Sequence, residues 1–331
     1  MRIFSGVQPT GNIHIGNYLG ALRQFVELQD EAVPGGRAEP FYCVVDLHAI
    51  TVPKDPAQLR ENNLDVAALY LAVGIDPKKS TVFIQSDVPG HAELAWVLMC
   101  NTYTGELSRM TQFKEKSRGN ESAPAGLFTY PVLMASDILL YDSDVVPVGH
   151  DQKQHIELCR DVAIRVNNRF GDVFVVPEGR FLKEGARVMS LDNPLAKMSK
   201  SAENQLSRIS LLDDEAKIRK AIMKSTTDSE GSIRYDLENK PGVTNLINIY
   251  SALSGLSVEA VERKYEGVGY GAFKNDLAEV AIDALTPIKK RFDEIRPSEE
   301  LKAVLRDGAE RANEIAARTM ARVKGYFGLG K

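Results

Sequence analysis

Apolar and polar positions alternate in two different styles along the chain. In the first half, short apolar runs alternate with amphipathic stretches. About Arg2 to Ser5, Phe41-Tyr42-Cys43-Val44-Val45-Asp46 and Thr81-Val82-Phe83-Ile84-Gln85 are bounded by turn residues and read as strands. The second of these has no polar alternation, as expected of a strand covered on both faces of a parallel sheet. Between the runs lie helical patterns. One spans about Gly16 to Gln29, with Leu19, Leu22, Phe25 and Val26 on one face; another opens at Asp55-Pro56 and ends at Gly74. The Pro/Gly-rich stretch from Glu31 to Glu39 reads as an exposed, inserted loop.

From His91 to about Cys159 helical patterns dominate. They include a helix over Tyr130 to Tyr141, a short strand over Asp144 to Gly149 and a long amphipathic helix over Asp151 to Arg169. The polar stretch Ser117 to Gly126 interrupts them as a loop able to move. Phe174-Val175-Val176 and Arg187-Val188-Met189-Ser190-Leu191 read as strands returning to the sheet. After about Ser207 every pattern is helical: Leu211 to Lys224, Val243 to Leu253, Val258 to Tyr265, Phe273 to Ile295 and Pro297 to Phe327. The predicted fold is α/β: a doubly wound, Rossmann-like parallel sheet over residues 1–204 with a helical insertion at about 91–172. A second, all-helical domain follows over 205–331, its last helix able to pack back on the sheet.

Composition narrows the function without naming it. The 331 residues are 44% hydrophobic and 26% charged, ordinary for a globular protein of one large or two unequal domains. With a formal net charge of -4, any RNA-binding surface must be a local basic patch. Cys43, Cys100 and Cys159 lack Cys-x-x-Cys spacing and read as small buried residues rather than zinc ligands or a disulfide framework. No apolar run is long enough for a membrane span, and the first strand begins beside Met1, which leaves no room for a targeting peptide; the cytoplasm is the expected compartment.

Two stretches carry chemistry. Gly6-Val7-Gln8-Pro9-Thr10-Gly11-Asn12-Ile13-His14-Ile15-Gly16-Asn17 is a strand, a tight turn and a helix opening, which can aim backbone N–H groups at phosphate. Such a turn also serves merely to cross a strand and a helix closely. Far downstream, Lys197-Met198-Ser199-Lys200-Ser201 sets two cations and two hydroxyls in a loop suited to polyphosphate. The pair resembles the two signature motifs of class I aminoacyl-tRNA synthetases. The opening Gly-Val-Gln-Pro-Thr-Gly and the run Pro147-Val148-Gly149-His150-Asp151-Gln152-Lys153-Gln154-His155-Ile156-Glu157 look like the tryptophanyl branch, nearly end to end.

The resemblance implies ATP with Mg²⁺, L-tryptophan and tRNA(Trp) as ligands, a homodimer, and no membrane or DNA partner. The implied reaction is attack of an amino-acid carboxylate on the α-phosphorus of ATP, followed by transfer to the terminal ribose of the tRNA. It needs positioning and charge neutralisation rather than a general base. Lys197 and Lys200 would hold the β- and γ-phosphates, aided by Ser199 and Ser201, with Asn17 and Lys116 as further catalytic residues. Gln8, Pro9, Thr10, His14, Gly16, Asn17, Val188 and Met198 would contact ATP. Gly149, His150 and Asp151 would contact its ribose, and Asp151 also reads as an N-cap. The family's second motif histidine is replaced by Asn17, which removes a cationic donor. His14 reads equally as a phosphate ligand or a positioned neutral imidazole.

Asp137 is a lone carboxylate on the apolar helix Tyr130 to Tyr141. Buried, it requires a donor, either the indole N–H of tryptophan or an arginine elsewhere. Phe4, Gly6, Gln8, Met134, Val146 and Val148 would complete the amino-acid site by resemblance, with Tyr130 and Gln152 toward the ammonium group. No metal-ligand cluster is visible. Lys217, Arg219, Lys220, Lys224 and Arg234 are a candidate basic face on the helical domain, where the resemblance implies anticodon recognition. A sister tyrosyl enzyme, a catalytically silent tRNA-binding relative and an adenylyltransferase that uses no tRNA are the competing readings.

Overall fold

A computed structural model describes the chain except residues 12, 34–35, 118–122, 182–187, 201 and 331, and the side chains of residues 32, 33, 116 and 117. It contains a five-stranded sheet of β1 (Arg2–Val7), β2 (Glu39–Val44), β3 (Thr81–Ile84), β4 (Val145–Val148) and β5 (Glu178–Phe181). The order is β3-β2-β1-β4-β5, and all four pairings are parallel. Successive strands move outward in one direction from β1 and then in the other. The switch point therefore lies between β1 and β4, where side chains at the strands' carboxyl ends can converge on a ligand.

The chain divides into two compact units. One comprises Met1–Thr10, Phe25–Leu182 and Arg296–Lys331, and the other Gly11–Gln24 and Lys183–Ile295. This is not a single cut at residue 204. The helix Glu299–Phe327 belongs with the sheet, and Gly308 is where it touches. A Cβ added there would stand 1.9 Å from the carbonyl oxygen of Val82 on β3, so only glycine permits the crossing. On that face of the sheet, Tyr141 stacks on Phe4 of β1 and Phe41 of β2, with centroids 5.6 and 5.0 Å apart. It meets Phe83 of β3 edge-on. Phe25, Tyr42 and Tyr70 form a second aromatic cluster in the same unit, with Phe25 stacked on Tyr42 at 4.6 Å.

Several local expectations require correction. The first helix is Ile15–Asn17, a π-helical turn at Tyr18–Leu22, then Arg23–Leu28, so its ladder is not uniformly α. The stretch after it contains a small hairpin, Ala32–Val33 against Gly36–Arg37, rather than a structureless loop. Residues 174–176 form no strand. Val173 and Phe174 are apolar because they pack into the core, and the Asn167 side chain takes both their N–H groups and the Phe174 carbonyl. The returning strand is β5, a few residues later. Arg187 lies outside the described residues, and Val188 to Leu191 contributes one isolated bridge, Met189 with Lys197, instead of a strand. Part of the expected mobile loop, 118–122, also lies outside the described residues.

The helical unit follows its capping signals closely. Asp214 caps Glu215–Met223, Ser257 caps Val258–Lys264, and Gly255 ends Pro241–Ser254 in the left-handed conformation. The long helix Tyr270–Ile295 completes the run. The polar loop Thr226 to Gly231 is anchored by Lys240, whose side chain is 1% exposed. Its ammonium group bonds Asp228, Glu230, the Ser232 carbonyl and the Tyr270 hydroxyl.

Candidate active site

The candidate residues fall into two sets, one in each unit. In the sheet unit, Phe4 and Gly6 lie on β1, and Gln8, Pro9 and Thr10 follow it. Val146 and Val148 lie on the neighbouring β4, and Gly149, His150, Asp151 and Gln152 follow it. The carboxyl ends of the two strands flanking the switch point thus supply most of this set. Gly6 must lack a side chain: an added Cβ would meet Val45 Cγ1 at 2.7 Å. Phe4 and Val146 are buried in the core, whereas Met134, Val148, Tyr130 and Gln152 are half-buried and Gln8 is exposed. Asp151 does not cap the long helix Lys153–Phe170. A 3₁₀ turn, His150–Gln152, intervenes, and Gln152 Nε2 donates to Asp151 Oδ2 at 2.9 Å.

Asp137 lies near the end of the helix Ala125–Leu139 and is 2% exposed. Among the described residues no arginine answers it. His91 Nδ1 donates to Oδ1 at 2.7 Å and Gln85 Nε2 to the same oxygen at 2.6 Å, while His48 Nε2 donates to Oδ2 at 2.7 Å. The Gln85 amide is oriented by the Leu47 N–H, which donates to its Oε1 at 3.0 Å. Burial by itself would push the Asp137 carboxyl up. The His48 and His91 contacts overcome that and hold it below the usual carboxylate range. The Tyr130 hydroxyl donates to Gln112 Oε1 at 3.0 Å and lies 2.8 Å from His155 Nε2, and burial pushes its phenol up to about 12.

In the other unit, His14 caps the first helical turn. Its Nδ1 accepts the Gly16 N–H at 3.1 Å, and the Asn17 Oδ1 accepts the His14 N–H at 3.2 Å. A ring nitrogen that accepts carries no proton, so His14 sits as a neutral imidazole protonated at Nε2. Burial, then the positive charges of Lys200, Arg208 and Lys197, lower its pKa to about 4. Burial also lowers Lys200 to about 8.

The lysine-rich loop is held by a short antiparallel contact. Met198 N–H donates to the Val188 carbonyl at 3.2 Å, and the Ser190 N–H to the Ala196 carbonyl at 2.8 Å. Met198 and Val188 are buried, Lys197 and Ser199 are exposed, and Lys200 is half-buried. Ser201 lies outside the described residues. Lys116 belongs to the helix Thr111–Ser117 of the sheet unit, but its side chain also lies outside them.

The sequence reasoning missed four supporting residues. His48, Gln85 and His91 come from three separate segments around Asp137. Asn245 forms two bonds with the backbone of Met189, accepting from its N–H at 2.8 Å and donating to its carbonyl at 2.9 Å. The signal available for each was a polar residue inside or beside an apolar run. On the proposed basic face, Lys217, Arg219 and Arg234 are paired with Asp213, Glu279 and Asp236, which leaves less net positive potential than the sequence suggests.

Residues 1–286 match the family model for class I tRNA synthetases of the tryptophan and tyrosine group. The chain is 59% identical over 328 residues to a tryptophan–tRNA ligase of Caldanaerobacter subterraneus, covering 99% of this chain and 98% of that one. Among solved structures it is similar to a tryptophanyl-tRNA synthetase of Mycoplasma pneumoniae, with a TM-score of 0.88 and 39% identity, covering 99% of this chain and 98% of that one. It is likewise similar to one of Campylobacter jejuni solved with ADP and tryptophan, with a TM-score of 0.84 and 38% identity, covering 99% and 100%. A doubly wound parallel sheet, a buried carboxylate held by three donors, a lysine-rich loop and likeness along nearly the whole length agree: the chain belongs to the class I aminoacyl-tRNA synthetases, on their bacterial-type tryptophanyl branch.

Proposed function

We infer that the chain activates L-tryptophan with ATP, releases pyrophosphate, and transfers the aminoacyl group to tRNA(Trp). The observation that carries the amino-acid assignment is Asp137: a buried carboxylate held in its ionised form by the side chains of His48, His91 and Gln85, as an acceptor for an indole N–H needs to be. An indole N–H donates only, and a ligand without it would strand the carboxylate. The attacking carboxylate of tryptophan is already ionised at neutral pH, so the protein's contribution is orientation and charge neutralisation.

In this reading Lys197, Lys200 and Lys116 neutralise the leaving pyrophosphate, with Ser199 and Ser201 as hydroxyl donors. The Gly16 and Asn17 turn contacts ATP, while neutral His14 shapes that turn rather than carrying charge. Gln8, Pro9, Thr10, Val188 and Met198 contact the nucleotide, and Gly149, His150 and Asp151 its ribose. Phe4, Gly6, Met134, Val146 and Val148 wall the indole; Tyr130 and Gln152 face the ammonium group. Mg²⁺ arrives with ATP and is held by phosphate oxygens and water. Among the described residues no group of three or more His, Cys, Asp or Glu side chains is placed to hold a metal.

The helical region reads the anticodon, with exposed Lys220 and Lys224 as its cationic contribution. Trp96 on the helix Gly90–Met99 is 67% exposed and Tyr103 is exposed as well, which supports a homodimer contact from the inserted segment. Among the described residues no helix is long and apolar enough to cross a membrane. The cytoplasm, where tRNA is charged, is the expected compartment.

ATP–pyrophosphate exchange with each standard amino acid in turn tests the assignment. Exchange with tryptophan alone supports it. Exchange with tyrosine keeps the fold and the chemistry but overturns the role of Asp137. No exchange while ATP still binds points to a tRNA-binding relative without activity.

A further inference from the structure

A carboxylate offers about four lone-pair positions, two on each oxygen. Among the described residues Asp137 Oδ1 accepts two bonds, from Gln85 and His91, and Oδ2 accepts one, from His48. Oδ1 is saturated, and a single acceptor position remains, on Oδ2. The two donors on Oδ1 are themselves fixed. Gln85 is fully buried and oriented by the Leu47 N–H. His91 is fully buried as well. Because Asp137 can only accept, His91 Nδ1 carries a proton, and its Nε2 lies 2.7 Å from the Tyr141 hydroxyl. The Ser136 hydroxyl donates to the His91 carbonyl at 2.7 Å and ties its backbone to the helix that carries Asp137.

We propose that His91 and Gln85 are positioning residues for amino-acid selection: by saturating Oδ1 and fixing the plane of the carboxylate, they make Asp137 an acceptor of one further hydrogen bond, at Oδ2. This rests on the reading of Asp137 as the indole acceptor. A carboxylate free to rotate would offer either oxygen, draw in water, and lose the geometry that penalises a ligand without an N–H. Tyr141, stacked on Phe4 and Phe41 of the sheet, meets the far side of the His91 imidazole with its hydroxyl, 2.7 Å from Nε2.

The test uses the full-length enzyme in ATP–pyrophosphate exchange with tryptophan and with its benzothienyl analogue, in which sulfur replaces the indole N–H. The measured quantity is the ratio of kcat/KM for the two ligands, together with KM for ATP. His91→Leu is expected to raise the tryptophan KM about 10-fold or more and to shrink the discrimination ratio by at least about 10-fold, with the ATP KM changed less than about 3-fold. His91→Asn, which can present a donor near the Nδ1 position, is expected to recover most of the ratio. A purely structural role would alter both ligands together and leave the ratio unchanged. Should His91→Leu not fold, Gln85→Met removes the other Oδ1 donor and carries the same expectation.

Asp137→Asn separates the two levels. If Asp137→Asn collapses the ratio and the Oδ1 variants do not, this proposal fails and the indole-acceptor reading stands. If Asp137→Asn leaves the ratio intact, both fail.

Discussion

His14 Nδ1 accepts the backbone N–H of Gly16 at 3.1 Å, so the histidine of the first motif serves its own helix turn as a neutral cap. Its pKa is lowered from the ordinary 6.5 to about 4 by burial and by Lys200, Arg208 and Lys197. On acidification the unfolded chain therefore takes up the proton first. The contribution of His14 to stability is intact above pH 6.5 and is eroded as the pH falls toward 4, by up to about 3 kcal/mol. His14→Asn keeps a capping acceptor without the titration. Urea denaturation at pH 7.5 and 5.0 should show a smaller loss for this variant than for the parent; equal losses would remove His14 from the acid sensitivity.

Lys200 poses the opposite question. Burial lowers it to about 8, so near that pH about half of the molecules carry it neutral before ATP arrives. Phosphate beside it favours the charged form. ATP binding at pH 8 should then take up about half a proton, measurable by calorimetry in buffers of different ionisation enthalpy. Lys200→Met should abolish most of the uptake and slow adenylate formation far more than it weakens tryptophan binding. Uptake that persists in Lys200→Met would assign it to another group.

Gly308 and Gly325 share one helix but not one environment. Gly308→Ala drives a Cβ into the Val82 backbone and should destabilise the protein by about 2–4 kcal/mol, because backbone cannot step aside. A Cβ at Gly325 meets nothing within 4 Å, so Gly325→Ala should be neutral or stabilising by up to about 1 kcal/mol. Chemical denaturation of the two variants side by side decides the matter.

Lys240 anchors a loop whose own sequence is polar and short of apolar anchors. Although burial opposes its charge, Glu230, Tyr270 and Asp228 raise its pKa, so the side chain stays charged at any ordinary pH. Lys240→Met should lower Tm and open the Thr226 to Gly231 segment to limited proteolysis. Protection equal to the parent's would show that the loop is held by other contacts.

Much of this architecture could be read along the chain because its causes are local. Apolar runs marked β1 to β4, and Asp55 announced a helix start through a side chain that reaches three residues forward. Asp137 drew attention as a charge among apolar neighbours, a conflict visible in a dozen residues. The two signature motifs were contiguous and needed no fold to be recognised.

The rest was decided by residues that only folding brings together. Strand order, the switch point and the division into units follow from packing between segments tens to hundreds of residues apart. Asp137 reaches His91, Gln85 and His48 across 46, 52 and 89 positions, so its partners had no signature near it. The same physics misled the reading at Phe174, where burial under a tertiary contact produced the apolar run that a strand would have shown. Hydrophobicity along a chain reports burial, and only the folded backbone tells which element is being buried.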